Sequence, residues 1–136
     1  MTNITFYRCP VCGNVAMKVL DSTQELNCCG QPMQALIPNT TDASSERHIP
    51  VFAQVDNNVT VSVGVIPHPM TEEHYIQWIF LESTKGGQLR YLNPNDEPVA
   101  NFRMDGGAKP ICFYAYCNLH SLWKKELQDD KDDTIY

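Results

Sequence analysis

The sequence predicts an all-β protein in two parts, a small cysteine-rich amino-terminal module and an antiparallel β-sandwich. Three observations predict it. Four of the six cysteines fall within residues 1–36, a stretch with few large apolar residues, and a unit below about 40 residues seldom folds on a core alone. From residue 46 onward, short apolar–polar alternations recur between glycine and asparagine turns, the pattern of a sandwich of short strands. All four histidines lie in this second part, near the ends of those strands.

The amino-terminal module reads as metal-stapled. Cys9-Pro10-Val11-Cys12-Gly13 has the form of a metal knuckle: two intervening residues let both sulfurs face one ion, and the glycine permits a turn whose N–H groups point at sulfur. Cys28-Cys29-Gly30 supplies the other half of the cage. Tetrahedral sulfur ligation suits zinc and iron alike. Zinc ribbons usually space the cysteines in both halves, whereas Cys28 and Cys29 are adjacent and force a distorted angle. A vicinal disulfide is the weaker alternative. Met1 to Phe6 shows neither a basic start nor an apolar run, so no secretory signal is expected, and without export the cysteines read as ligands or free thiols.

Pro38 to Ser45 is polar, proline-led and aperiodic, and residues 37–45 are expected to form a linker. Within 46–126, Val59, Val61, Val63 and Val65 alternate with Thr60, Ser62 and Gly64, a period-two strand pattern. Asp56-Asn57-Asn58 is the expected turn before it. Ile76, Trp78 and Phe80 alternate with Gln77 and Ile79, Lys85-Gly86-Gly87 turns the chain into Leu89–Leu92, and Asp105-Gly106-Gly107 separates Val99–Met104 from Ile111–Tyr116. His120–Leu127 is expected as a short helical turn. The end of the chain, 127–136, reads as a solvated acidic tail. Cys112 alternates to the face opposite Ile111 and Phe113, as a small buried thiol.

The net charge of −6, with no basic stripe, argues against a nucleic-acid partner. No stretch approaches the roughly 20 apolar residues of a membrane span. The histidines carry the remaining signal. Singly, His74 reads as a surface or core residue and His68 as a loop residue stiffened by Pro67 and Pro69. Cys117-Asn118-Leu119-His120 is stronger, because both donors reach one ion from one turn; its alternative is a buried thiol beside a surface histidine. Together, His48, His68, His74 and His120 supply four imidazoles and Cys117 one thiolate. Such a nitrogen-rich set with one sulfur suits an ion with an open position, the thiolate lying opposite the vacancy.

At these residues the chain resembles desulfoferrodoxin, the two-iron form of superoxide reductase. Cys9-x-x-Cys12 with Cys28-Cys29 is similar to the desulforedoxin-like amino-terminal domain of that family. Glu46-Arg47-His48-Ile49-Pro50, Pro67-His68-Pro69, His74 and Cys117-Asn118-Leu119-His120 resemble the neelaredoxin-like catalytic domain. The resemblance implies domains at 1–36 and 46–126, the second an immunoglobulin-like sandwich. It implies one iron bound by Cys9, Cys12, Cys28 and Cys29, and another bound by His48, His68, His74, His120 and Cys117. It further implies reduction of superoxide to hydrogen peroxide without release of dioxygen, a rubredoxin-type electron donor, a homodimer and a cytoplasmic role in oxidative-stress defence. Glu46 matches the carboxylate that reaches the oxidised iron. The usual lysine beside it is Arg47 here, which keeps the charge but is a poorer proton donor. The pair also reads as an ordinary exposed pair at a linker end. Three other functions stay open at this point: a non-enzymatic iron electron carrier, a superoxide dismutase, and a zinc ribbon joined to a β-sandwich as an interaction module.

Overall fold

The computed structural model describes residues 4–127. Residues 128–136, which hold most of the expected acidic tail, lie outside the described residues. The chain separates into two compact units, one ending at Ile37 and the other starting at Pro38.

The first unit contains five short strands: β1 (Phe6–Arg8), β2 (Val15–Met17), β3 (Asn27–Cys28), β4 (Gln31–Pro32) and β5 (Gln34–Ala35). They form a three-stranded sheet in the order β2-β1-β5 and a two-stranded ribbon β3-β4. Among its described residues, the buried apolar ones are Phe6 and Cys9.

The first element of the second unit is one helical turn, α1 (Ser45–His48), too short to show a period. Seven strands follow: β6 (Pro50–Val55), β7 (Asn58–Val63), β8 (Ile76–Ser83), β9 (Gly86–Tyr91), β10 (Val99–Arg103), β11 (Pro110–Cys117) and β12 (Ser121–Glu126). They build two antiparallel sheets, β10-β7-β6 and β12-β11-β8-β9. Both contribute to one core. Val59, Val61 and Val63 of β7 and Ala100 and Phe102 of β10 meet Ile79 and Leu81 of β8 and Phe113 and Ala115 of β11. The alternation on β7 is the one the valines predict, but it stops at Val63, and Val65 is exposed.

The helical turn expected over His120–Leu127 is instead β12, paired residue by residue with β11 from Cys117↔Ser121 to Cys112↔Glu126. Leu122 and Trp123 are adjacent and both buried, so the local pattern does not alternate cleanly, and the partner strand decides the conformation. Asn39, in the stretch read as a linker, pairs with β12: its N–H donates to the Leu122 carbonyl (3.1 Å) and its Oδ1 accepts from the Lys124 N–H (2.8 Å). Cys112 is fully buried.

Candidate metal centres

In the first unit the sulfurs of Cys9, Cys12, Cys28 and Cys29 all lie within 4.8 Å of one another. Two local devices gather them. The knuckle turns at Gly13 (φ +83°), and the N–H groups of Val11 and Cys12 point at Cys9 Sγ from 3.4 and 3.5 Å. On the other side, β3 and β4 are joined by the two-residue loop Cys29-Gly30, closed by the pair Cys28↔Gln31. Both loop residues have positive φ, +54° and +76°, the signature of a type I′ hairpin turn. That turn answers the difficulty of adjacent ligands, since it brings Cys28 and Cys29 sulfurs to 3.9 Å, with Cys12 Sγ 3.6 Å from Cys28 Sγ. An ion with sulfur bonds of about 2.3 Å in a tetrahedron sets sulfurs about 3.8 Å apart. All four thiols are free.

The thiols are electrostatically unequal. Chiefly because of the Cys12 N–H, Cys9 is lowered to about 6. Cys29 is pushed up to about 12, first by its hydrogen bond to Cys12 and then by Cys28. Four thiolates at this spacing repel one another, and only a cation lets all four ionise together.

In the second unit the four imidazoles form a square. Neighbouring ring centroids are 4.6 Å apart for His48–His68 and His68–His74 and 5.0 Å for His74–His120 and His120–His48. Neighbouring ring planes cross at 78° to 86°, and the His48–His74 diagonal is 6.4 Å. The inward nitrogens are close: His48 Nε2 lies 3.1 Å from His68 Nε2 and 3.2 Å from His120 Nδ1. Cys117 Sγ lies 3.9 Å from His120 Nδ1. One donor atom each from His48, His74, Cys117 and His120 falls within 4.8 Å of the others, and His68 joins them through His48.

Each corner has a structural cause. His48 ends α1, and its Nδ1–H donates to the Ser44 carbonyl at 2.7 Å. His68 Nδ1–H donates to the Pro69 carbonyl at 2.6 Å. His74 closes a tight loop in which its N–H and C=O pair with those of Thr71 (3.2 and 3.0 Å). Cys117 and His120 flank the β11–β12 turn. At the end of β11 the pairing slips, with Tyr116 opposite Trp78 but Cys117 opposite Ile76. Such a bulge re-aims the next side chain, and Cys117 faces the core cluster.

The protonation pattern fits a metal. With a proton fixed on Nδ1 by a carbonyl, His48 and His68 present lone pairs at Nε2. Two lone pairs 3.1 Å apart repel unless a cation lies between them. The buried Nε2 of His74 has no hydrogen-bond partner among the described residues, which is costly for a polar atom. A square with sides of 3.1 and 3.2 Å places its centre about 2.2 Å from each corner, against about 2.0–2.1 Å for a metal–imidazole bond. Burial favours the neutral form of three of these rings: His68 is lowered to about 4, and His48 and His74 are lowered too, mainly by desolvation. Burial also pushes the Cys117 thiol up, while the N–H groups of Leu119 and His120 at its sulfur pull it down.

Glu46 and Arg47 sit beside His48 on α1 and are exposed. Sequence reasoning assigns no role to Asn118 or Trp123. Trp123 stacks on His48 (centroids 4.7 Å, planes 27° apart) and donates Nε1–H to the His120 carbonyl at 2.9 Å. The only advance signal was its position three residues after His120.

The fold and the two donor sets define a non-haem metalloprotein with one all-sulfur centre and one nitrogen-rich centre. Residues 40–126 match the family described as Desulfoferrodoxin, and residues 2–36 the one described as Desulfoferrodoxin, N-terminal domain. The chain belongs to the desulfoferrodoxin family. It is 42% identical over 120 residues to the desulfoferrodoxin of Syntrophotalea carbinolica, covering 88% of this chain and 94% of that one. It is 38% identical over 104 residues to the superoxide reductase of Pyrococcus horikoshii, covering 64% and 90%. Among solved structures, the superoxide reductase of Treponema pallidum aligns with a TM-score of 0.77 at 31% identity, over 92% of this chain and all of that one (100%). The two donor sets are consistent with two iron ions.

Proposed function

We propose that the chain is a superoxide reductase, which adds one electron and two protons to superoxide and releases hydrogen peroxide. The observation that carries this reading is the square of four imidazoles with a buried thiol beside it, in which His74 Nε2 has no partner among the described residues. His48, His68, His74, His120 and Cys117 are assigned to one iron, and Cys9, Cys12, Cys28 and Cys29 to the other. The assigned domains are 1–36 and 46–126, with a linker at 37–45 and an acidic tail at 127–136.

Iron held by four imidazoles and one thiolate supplies a one-electron couple and an open coordination position. The chain does the rest. Ser44 and Pro69 fix the tautomers of His48 and His68, so that each ring offers a lone pair inward. The N–H groups of Leu119 and His120 spread the charge of the Cys117 thiolate. Arg47 attracts the anion against the repulsion of a chain of net charge −6. Because guanidinium is a poor acid, the two protons come from water reaching this exposed turn. Glu46, exposed on α1 beside His48, is the carboxylate that would help hold the oxidised ion between turnovers.

The electron donor is a rubredoxin-type carrier, the protein acts as a homodimer, and it works in the cytoplasm, where six free cysteines persist as thiols or ligands. Among the described residues, no helix is long and apolar enough to cross a membrane.

The test is stoichiometric. Protein purified anaerobically and reduced is expected to hold two irons and to yield one peroxide per superoxide with no dioxygen. Dioxygen release would make it a dismutase. Unreacted superoxide would leave an electron carrier, and zinc without iron an interaction module.

A further inference from the structure

We infer that Asn118 is a positioning residue that locks His74 into the histidine square. The inference rests on the reading above, in which His74 offers Nε2 to the second iron. The other corners have visible anchors. The rings of His48 and His68 are pinned by carbonyls, and His120 lies in the β11–β12 turn with its own carbonyl held by Trp123. His74 presents its inward Nε2 without a partner among the described residues, and the hydrogen bonds shown for it run through its backbone, to Thr71, so the aim of this ring depends on that backbone.

Asn118 holds that backbone on both sides. Its Oδ1 accepts from the Tyr75 N–H at 2.9 Å, its Nδ2 donates to the Glu73 carbonyl at 3.0 Å, and its own N–H donates to the Tyr75 carbonyl at 3.2 Å. The carboxamide therefore brackets His74 from residues 73 and 75. Asn118 also follows Cys117 directly and precedes His120 by two positions. It ties the loop carrying one imidazole to the turn carrying a thiol and another imidazole. The chemistry requires an amide. An aspartate keeps the acceptor for Tyr75 but sets a carboxylate against the Glu73 carbonyl, and an alanine loses both side-chain bonds.

Groups that orient metal ligands typically change metal affinity by about 10–100-fold when removed. The test uses the full chain, loaded anaerobically with ferrous iron. The affinity of the histidine centre is measured by competition with a chelator, together with the absorption spectrum of its ferric form. Asn118→Ala is expected to weaken binding by about tenfold and to shift the spectrum in the same direction as His74→Ala. In a His74→Ala background it should weaken binding no further, because the ring it aims is gone. Wild-type affinity and spectrum in Asn118→Ala would overturn the inference, as would an equal loss with and without His74. Where Asn118→Ala does not fold, Asn118→Asp decides on the same terms, with a smaller loss. If His74→Ala itself leaves affinity and spectrum unchanged, the ligand assignment fails, and Asn118 has nothing to aim.

Discussion

A carbonyl within 2.7 Å of an imidazole nitrogen decides where that ring keeps its proton. His48 and His68 both meet this condition at Nδ1, which turns a crowded histidine cluster into a set of inward lone pairs. Arg47 and Cys112 carry predictions at this scale. If Arg47 attracts superoxide, Arg47→Ala should slow the bimolecular reaction severalfold, and added salt should slow the parent protein more than the variant. Rates insensitive to both changes would remove Arg47 from substrate capture. Burial pushes the Cys112 thiol from 9.0 up to about 11. The unfolded chain loses this proton near pH 9, while the folded chain keeps it to about pH 11. Stability from this group is therefore full below about pH 9 and falls by about 2 kcal/mol by about pH 11. Urea unfolding should show that loss in the parent and not in Cys112→Ala; parallel pH profiles would contradict it.

At the scale of elements, α1 is one turn long and is held from outside. Gly64, at φ +87°, donates its N–H to the Ile49 carbonyl, and Ile66 donates to the Glu46 carbonyl. A methyl group at position 64 would strike the Ile66 carbonyl and sit 2.7 Å from Arg47 Cα. Gly64→Ala is thus expected to cost more than about 2 kcal/mol and to move His48 with α1, seen as weaker iron binding at the histidine centre. A variant with unchanged melting and unchanged iron affinity would refute this coupling. The donors were legible in the sequence because metal chemistry restricts residue types: cysteine pairs and a Cys-x-x-His are visible without any fold. The valine alternation of β7 was legible for a similar reason, since one face is buried. By contrast, α1 is too short for any period, and β12 carries Leu122 and Trp123 side by side. Asn118 and Trp123 act through backbone carbonyls and a ring face brought close by the hairpin, and such partners are set by pairing rather than by local pattern.

For the molecule as a whole, the two units differ in what holds them. The sandwich has a core drawn from both sheets, whereas among the described residues of the first unit the buried apolar ones are Phe6 and Cys9. So little apolar burial does not offset chain entropy, and ion binding becomes folding free energy. Stripping metal with a strong chelator should therefore collapse the NMR dispersion of residues 4–37 while signals from the strand core around Val61 and Phe113 persist. A metal-free chain that keeps both sets dispersed would show that the first unit folds on its own.

The left-handed backbone at Cys29 has one more outcome. A side chain with a Cβ sits there at a cost of about 1–2 kcal/mol, and this thiol is exposed while Cys9 is enclosed and braced by two amides. Release of the ion should begin at Cys29, like a clasp opening from its sprung end. Alkylation during slow iron loss, followed by peptide mapping, should label Cys29 well before Cys9.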